Sequence, residues 1–265
     1  MRRRIMILIS ALAFLLIVSN CKKNVIDYGD TIKYSNEYAL LKVNYASIYQ
    51  DNRSAILKVN GERVSSKITG RTPYPGGGYN TGGNSSPDFL MVKPGNIELS
   101  VIMPFAVDNG TDSAVLYKQA LSVVGGNNYV AHVTDTAANT KLVVTEENFV
   151  TPEPGKCSYR FINLMPNVPK VDLYYGISAS NHTADTLLAQ GVEYLKMTEQ
   201  FTVRSGQSRT WKLRLNGSAA TTTPIATYAS SSTFTSTRVY NVFACGYNGV
   251  TTAPRKPYVS FLLVR

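Results

Sequence analysis

The chain has few of the residues that catalytic and metal centres use. Its 265 residues include two histidines and three cysteines, and charged residues make up 17% of the sequence. His132 lies in the segment "YVAHV" and His182 in "ISASNHTAD", and neither has a second ligand at zinc-site spacing. The sequence also contains no nucleophile elbow, phosphate-binding loop or paired-carboxylate motif. We therefore expect a protein that is not an enzyme and binds no metal and no cofactor.

A long hydrophobic run is also missing. The apolar segment from Ile5 to Val18 has 14 residues, whereas a membrane-spanning helix needs about twenty. This segment follows three arginines and ends shortly before Cys21, an order typical of an export signal. The segment that ends at Cys21 resembles the bacterial lipobox, although Asn20 replaces the commoner glycine or alanine. An ordinary secretory signal that happens to end near a cysteine is the alternative.

The resemblance to a lipobox implies a lipid anchor. Residues 1–20 would then be a signal peptide that is removed, and residues 21–37 would be a tether lipidated at Cys21. Because each buried methylene group contributes about 0.8 kcal/mol, two or three acyl chains hold a protein firmly at a membrane. We expect an outer-membrane lipoprotein that faces either the periplasm or the cell surface, and the sequence leaves the choice of side open.

The other two cysteines allow two interpretations. Cys157 and Cys245 could form a disulfide in an oxidising compartment, but such a compartment does not require one. Two separate buried thiols are the alternative. The sequence leaves both open.

A repeat divides the chain into two similar halves. The segment "YALLKVN" at 38–44 matches "SYRFIN" at 158–163, and "AILKVNG" at 55–61 matches "VDLYYG" at 171–176. Three residue pairs share one offset of 111 positions, namely Gly95 and Gly206, Tyr117 and Tyr228, and Tyr129 and Tyr240. Such a constant offset predicts two copies of one fold.

Within each half, short segments alternate between apolar and polar residues and are separated by turn signals such as Asn-Gly. This pattern predicts an all-β protein with two tandem antiparallel, immunoglobulin-like β-sandwich domains. The predicted domains are 38–149 and 157–265. Between them, 150–156 contains two prolines and is interpreted as a linker.

The repeated features carry a family resemblance. An opening strand that ends in asparagine, a strand of the form "VDLYYG" and a late strand that begins with tyrosine resemble the family catalogued as domain of unknown function 4397. The resemblance covers roughly 38–149 and 157–265. It implies tandem β-sandwich modules, common in exported proteins, and no catalytic residues. The first copy differs from the family pattern by a long insertion.

That insertion, residues 71–88, contains five glycines, three prolines and two tyrosines. Tyr74 and Tyr79 are candidate ligand-binding residues because their rings could stack on a sugar or a peptide. The alternative is a solvated loop, which a fold tolerates because long loops cost little free energy.

The net positive charge is concentrated in the second half, because that half has few acidic residues. Residues 156–265 carry 12 basic and 4 acidic side chains, whereas residues 22–155 carry 12 and 13. In "SRTWKLRLNG", alternation predicts that Trp211 faces the core while Lys212 and Arg214 face water. With Arg204 and Arg209 nearby, these residues predict a surface for an anionic glycan or an acidic envelope protein. The alternative is a basic face that only keeps the protein soluble.

These observations favour a membrane-anchored, non-catalytic binding or adhesion module of the cell envelope, with a glycan or an envelope protein as partner. Nucleic acid is not expected as a partner of an exported lipoprotein. The alternative is a structural subunit of the fimbrial type. Such subunits are matured by cleavage after an arginine near the first strand, and Arg53 lies in a suitable loop. The sequence leaves the oligomeric state open.

Overall fold

Alternating apolar and polar residues produce a structure built almost entirely of β-strands. The computed structural model describes residues 37–70, 89–107, 111–206, 209–229 and 231–265. Within these ranges there are sixteen strands and two short 3-10 helices, Ala137–Asn139 and Ser231–Phe234. The predicted all-β fold class is therefore confirmed.

Each half of the chain contributes eight strands. The first eight are β1 (Ala39–Tyr45), β2 (Ile56–Val59), β3 (Glu62–Arg63), β4 (Leu90–Val92), β5 (Gly95–Pro104), β6 (Asp112–Val123), β7 (Asn128–Thr134) and β8 (Lys141–Glu146). The second eight are β9 (Lys156–Asn163), β10 (Lys170–Gly176), β11 (Thr186–Glu193), β12 (Phe201–Arg204), β13 (Thr210–Leu215), β14 (Ala226–Ala229), β15 (Val239–Cys245) and β16 (Tyr258–Leu263).

The strands of each half form two four-stranded sheets. In the first half, the order β3-β2-β5-β6 gives the first outer sheet and β4-β1-β7-β8 gives the first inner sheet. In the second half, β11-β10-β13-β14 gives the second outer sheet and β12-β9-β15-β16 gives the second inner sheet. Each strand of the first half thus has a counterpart eight strands later. The two halves have the same topology, as the repeat in the sequence predicts.

One pairing in each inner sheet is parallel. β1 runs parallel to β7, with Leu41 opposite Tyr129, and β9 runs parallel to β15, with Tyr159 opposite Tyr240. Two of the tyrosines separated by 111 positions therefore occupy equivalent places. Side chains alternate between the two faces of a strand in parallel and antiparallel sheets alike. The alternating sequence pattern therefore gives no signal for the parallel pairs.

Each half encloses a hydrophobic core between its own two sheets. In the first half, Leu41 and Val43 of the inner sheet pack with Leu57 and Leu99 of the outer sheet. In the second half, Trp211 is the centre of an aromatic cluster. Its ring lies 4.8 Å from that of Tyr159, 5.3 Å from that of Phe234 and 5.1 Å from that of Phe261. Each half is therefore a β-sandwich.

A third core lies between the two sandwiches. We call it the inter-sandwich core, and it contains residues of both inner sheets and their adjoining loops, namely Ala46, Ile48, Val130, Ile162, Leu164, Val239, Phe243, Cys245, Tyr258, Leu262 and Val264. Two hydrogen bonds cross the same boundary. Lys42 Nζ donates to the carbonyl of Leu263 at 2.7 Å, and Thr134 Oγ1 donates to that of Leu164 at 2.7 Å. The described residues accordingly form one compact unit.

The predicted linker is attached to the second sandwich. The Gln200 side chain accepts a hydrogen bond from the Val150 backbone N–H at 3.2 Å and donates one to its carbonyl at 2.9 Å. The division into separately folding domains at 38–149 and 157–265 stays a prediction. Over the described ranges, the protein has no helix with the length and apolarity that a membrane span requires.

Candidate functional site

The basic side chains that alternation predicts on the water-facing side of β13 are buried. Trp211 and Leu213 face the core as predicted, but Lys212 is 0% and Arg214 is 1% exposed. Lys212 and Arg214 do lie on the outer face of the second outer sheet, where two connecting segments cover them. His182 and Asp185 come from one segment and Thr222 from the other. The prediction that Lys212 and Arg214 face water is therefore wrong.

Asp185 forms ion pairs with both Lys212 and Arg214. Its Oδ1 accepts a hydrogen bond from Lys212 Nζ at 2.6 Å, and its Oδ2 accepts one from Arg214 Nη2 at 2.7 Å. His182 Nδ1 lies 3.2 Å from Lys212 Nζ and 3.3 Å from Arg214 Nη2, so it serves as an acceptor for both. The guanidinium of Arg214 also lies 4.6 Å from the centre of the Tyr174 ring. A single carboxylate thus bridges two buried positive charges.

The Asp185 carboxylate can lie this close to the sheet because residue 176 is a glycine. A Cβ atom added at Gly176, the last residue of β10, would lie 1.9 Å from Asp185 Oδ1 and 3.0 Å from Lys212 Nζ. Any larger residue at this position would displace the carboxylate. We call residues 177–185, the segment that follows Gly176 and carries His182 and Asp185, the strap.

The other predicted ligand-binding residues do not form one surface with Lys212 and Arg214. Arg204 is exposed at the end of β12, in the second inner sheet. Arg209 is partly exposed just before β13, in the second outer sheet, and its guanidinium lies 6.0 Å from the centre of the Tyr175 ring. Tyr74, Tyr79 and the predicted lipidation residue Cys21 lie outside the described residues.

Arg53 occupies the loop between β1 and β2. Its guanidinium forms an ion pair with Asp51 at 2.7 Å and lies 4.5 Å from the centre of the Tyr49 ring. Cleavage after Arg53 would separate β1 from β2, although β1 pairs with both β4 and β7 in the first inner sheet.

The second sandwich has a groove along one side. Its volume is about 510 Å³, which is within the range typical of ligand pockets. One wall is formed by the five consecutive residues 224–228, which include most of β14. The other wall comes from Val250, Thr251 and residues 256–259, which include the start of β16. The lining includes apolar residues such as Pro224, Ile225 and Val250, but more of its accessible surface is polar than apolar. Thr227, Thr251 and Lys256 are exposed at the rim.

The edges of two sheets meet at this groove. β14 is the last strand of the second outer sheet, and β16 is the last strand of the second inner sheet. Among the described residues, each of these strands pairs with a neighbour on one side only. Because consecutive residues of β14 line the groove, it follows the strand's backbone edge rather than one face. The groove can therefore offer backbone hydrogen-bonding groups to an incoming chain.

The aromatic residues of the groove are already engaged within the protein. The Tyr228 ring lies 5.5 Å from that of Phe261 in the second core. Tyr258 packs against Phe243 at 6.4 Å, and its hydroxyl donates to the carbonyl of Gly70 at 3.3 Å. Neither ring is fully exposed as a flat platform for a sugar. The groove thus suits an extended chain better than a stacked sugar.

A buried cluster of polar side chains lies between the two sandwiches. Asn44 Nδ2 donates to His132 Nδ1 at 3.1 Å, and His132 Nε2 lies 3.5 Å from Thr145 Oγ1. Thr145 Oγ1 donates in turn to Glu147 Oε1 at 2.7 Å, and Asn241 Nδ2 donates to the same oxygen at 2.9 Å. Burial, together with the positive charge of Arg160, lowers the pKa of His132 from 6.5 to about 3. His132 is therefore neutral in the folded protein.

The described residues contain no group of three or more His, Cys, Asp and Glu side chains that could hold a metal ion. Cys157 and Cys245 are both buried and are not bonded to each other. Cys157 belongs to the core of the second sandwich and Cys245 to the inter-sandwich core. Of the two interpretations that the sequence allowed, the structure shows separate thiols.

The groove, the cluster of polar side chains between the sandwiches and the strap are not predicted by the sequence patterns above. The groove residues lie in two segments about 30 positions apart, and each segment resembles an ordinary strand with its adjoining turn. One signal for the strap was present. Gly176 follows the segment "VDLYY" directly and precedes a polar stretch that ends in Asp185. A glycine at the end of a strand indicates a place where another group approaches the backbone closely.

A family model matches part of the chain. Residues 45–174 match the model described as a domain of unknown function, DUF4397. Residues 45–174 of this chain therefore belong to the DUF4397 family. The DUF4397 match ends at Tyr174 in β10, so it extends from the first sandwich into the second. Two tandem copies of the DUF4397 domain stay a prediction.

Solved structures resemble this chain only weakly. A streptococcal virulence factor described for alpha-glucan binding shares 9% identity with a TM-score of 0.24, and the match covers 84% of this chain and 96% of that chain. A leucine-rich repeat protein from Bacteroides thetaiotaomicron shares 14% identity with a TM-score of 0.17. That match covers 73% of this chain and 24% of the repeat protein. A search of curated proteins finds no match.

Proposed function

We propose that the protein is a non-catalytic binding module of the cell envelope, and that its second sandwich binds an extended segment of a partner protein in the groove. The observation that carries this proposal is that β14 and β16, the edge strands of two sheets, border one groove. An extended peptide that pairs with an edge strand gains backbone hydrogen bonds, and its side chains can enter neighbouring pockets. The groove supplies such a pocket, with both apolar and polar lining.

A glycan is the alternative ligand for the groove. The exposed Thr227, Thr251 and Lys256 could donate hydrogen bonds to sugar hydroxyls. Against this, Tyr228 packs on Phe261 and offers no open ring face. We therefore favour a protein partner, and the experiment below distinguishes the two ligands.

Lysine at two rim positions should block the groove. In the double variant Thr227→Lys, Thr251→Lys, two long charged side chains would hinder an incoming strand. We expect peptides selected from a displayed library on the full-length protein to lose at least about tenfold in affinity, roughly 1.4 kcal/mol. Fluorescence polarisation with labelled peptides measures the change.

The control is the double variant Thr186→Lys, Thr202→Lys, since these two threonines are exposed on β11 and β12, which do not line the groove. It should bind the selected peptides as the unmodified protein does. Equal binding by both double variants would place the peptide site elsewhere. If soluble envelope polysaccharide binds, no peptide does, and the rim variant abolishes that binding, the groove takes a glycan instead.

A structural subunit is the second candidate function, and the same open edges favour it. An incoming strand could come from a second copy of the chain and so build a polymer. Light scattering after size-exclusion chromatography distinguishes the two functions. Polymers that disappear in the Thr227→Lys, Thr251→Lys variant would support the structural subunit, and a monomer at high concentration would count against it.

The proposed location of the protein at the cell envelope depends on lipidation of Cys21. In a bacterial host that processes lipoproteins, the Cys21→Ala variant should leave the membrane fraction or keep its signal peptide, because the acyl chains can no longer be attached. Detergent-phase partitioning and the mass of the purified protein measure both outcomes. A Cys21→Ser variant serves as a second substitution of the same thiol. A Cys21→Ala protein that is correctly cleaved and still membrane-bound would exclude this anchor.

A further inference from the structure

We propose that Lys212 and Arg214 form an oxyanion-binding site on the second outer sheet, and that Asp185 of the strap occupies it as an internal ligand. The geometry of the carboxylate carries the proposal. Its two oxygens each accept a hydrogen bond from a different buried cation, at 2.6 Å and 2.7 Å. A carboxylate, sulfate or phosphate group presents oxygen pairs of the same kind. The site lies on the outer face of the sheet, so the proposal goes beyond the groove function.

The sheet itself forms the two-cation arrangement. Lys212 and Arg214 project from the same face of β13 because they are two residues apart in one strand. Another acidic residue on this face, Asp172, lies opposite Arg214 in β10. Its Oδ1 accepts hydrogen bonds from the Gly191 backbone N–H at 2.6 Å and from Asn216 Nδ2 at 2.9 Å. Asp185 is therefore the carboxylate that pairs directly with both cations.

The arrangement still has an unused donor. Arg214 Nε donates to the carbonyl of Thr222 at 2.8 Å and Nη2 donates to Asp185, but Nη1 is buried and has no hydrogen-bond partner. A buried guanidinium N–H without a partner costs about 1–3 kcal/mol. An oxyanion with three or four oxygens could satisfy Nη1 as well as the two donors that Asp185 uses. A tetrahedral anion thus fits the donor set better than the carboxylate that now fills it.

The strap is held to the sheet by few contacts. Most of its side chains are exposed, including Ile177 at 56%. Its attachments to the two cations are polar, through Asp185, through His182 Nδ1 and through the carbonyl of Asn181, which accepts from Lys212 Nζ at 2.6 Å. Because these contacts are polar, a ligand that offers the same acceptors to both cations can replace them. An external anion can therefore compete with Asp185 for the two cations.

Removing the internal carboxylate tests the site. In the full-length Asp185→Asn variant, both cations lose their counter-charge, and inorganic sulfate should bind in its place. We expect the unfolding midpoint of this variant to rise with sulfate, by about 5–10 °C at one hundred times the dissociation constant. Sodium chloride at equal ionic strength should not produce the rise. Adding Arg214→Gln to Asp185→Asn should abolish the response to sulfate.

Asp51→Asn is the matched control, because Asp51 is also the carboxylate of an arginine ion pair but lies at the exposed surface of the first half. It should respond to sulfate as the unmodified protein does. Equal sulfate responses in Asp185→Asn and Asp51→Asn would overturn the proposal. Inorganic phosphate, chondroitin sulfate and polygalacturonate, tested in parallel, distinguish a free anion from a sulfated or a carboxylated polysaccharide as the natural ligand.

The unmodified protein provides a second test that does not depend on the folding of a variant. Sulfate that displaces Asp185 should release the strap, so amide hydrogen exchange within 177–185 should become faster in sulfate than in chloride at equal ionic strength. Exchange in β5 of the first outer sheet serves as the internal reference. Unchanged exchange of the strap at 0.1 M sulfate, together with no gain of binding in Asp185→Asn, would show that Asp185 has a purely structural role.

Discussion

Replacing Phe243 by alanine should destabilise both sandwiches together. Phe243 is 1% exposed, lies on β15 and belongs to the inter-sandwich core. Truncating a buried phenylalanine to alanine costs about 3–5 kcal/mol of unfolding free energy. If the two inner sheets depend on this core, part of that cost falls on the first sandwich, although Phe243 belongs to the second. We therefore expect one cooperative transition at a lower denaturant concentration.

Two probes report on the two halves separately. Fluorescence of Trp211, the single tryptophan, reports on the second sandwich, and amide hydrogen exchange in β5 reports on the first. Val115→Ala is the control, since this valine is 57% exposed and its loss should change stability by less than about 0.5 kcal/mol. The two sandwiches would be independent domains if Phe243→Ala weakened the Trp211 transition and left exchange in β5 unchanged.

The strands and their repetition could be predicted from the sequence because both depend on local patterns. Apolar residues at every second position define a strand with one buried face, and the constant offset of 111 positions relates the two halves. The parallel pairing of β1 with β7 has no local signal, because alternation is independent of strand direction. It depends on the order in which four distant segments assemble into a sheet.

The candidate sites could not be predicted for a different physical reason. Alternation assigns polar residues to the face opposite the core, but it does not show whether another segment covers that face. Lys212 and Arg214 follow the alternation correctly and are nonetheless buried, because the strap lies over them. Asn44 and His132 are likewise on the polar side of the first inner sheet, and the second sandwich covers them. Burial of a polar face is thus a tertiary property.

The two proposed sites use different properties of the second sandwich. The groove depends on the backbone edges of β14 and β16 and on a lining of mixed polarity, so a ligand there gains backbone hydrogen bonds and buried surface. The strap site depends on two charges in a buried position, so its ligand must replace the interactions of Asp185 one for one. The groove should therefore tolerate sequence variation in its partner, whereas the strap site should select for negative charge.

Acid should destabilise the protein through His132. The folded protein keeps this histidine neutral with a pKa of about 3, whereas the unfolded chain takes up a proton near 6.5. Stability is therefore full above pH 6.5 and is lost as the pH falls towards 3, because only the unfolded state binds the proton. Complete loss of this contribution amounts to roughly 5 kcal/mol, at about 1.4 kcal/mol for each pH unit.

The His132→Gln variant tests this, with unfolding free energies measured by denaturant titration between pH 7.5 and 4. Glutamine does not titrate, so the free-energy difference between the unmodified protein and the variant should shrink by up to about 1.4 kcal/mol per unit below pH 6. His182→Gln removes the other histidine, which lies in the strap with a side chain that is 17% exposed, and controls for the loss of one imidazole from the unfolded chain. A free-energy difference that stays constant across this range would mean that the imidazole of His132 accepts its proton equally well in the folded and the unfolded protein. The cluster of polar side chains between the sandwiches would then have no part in acid unfolding.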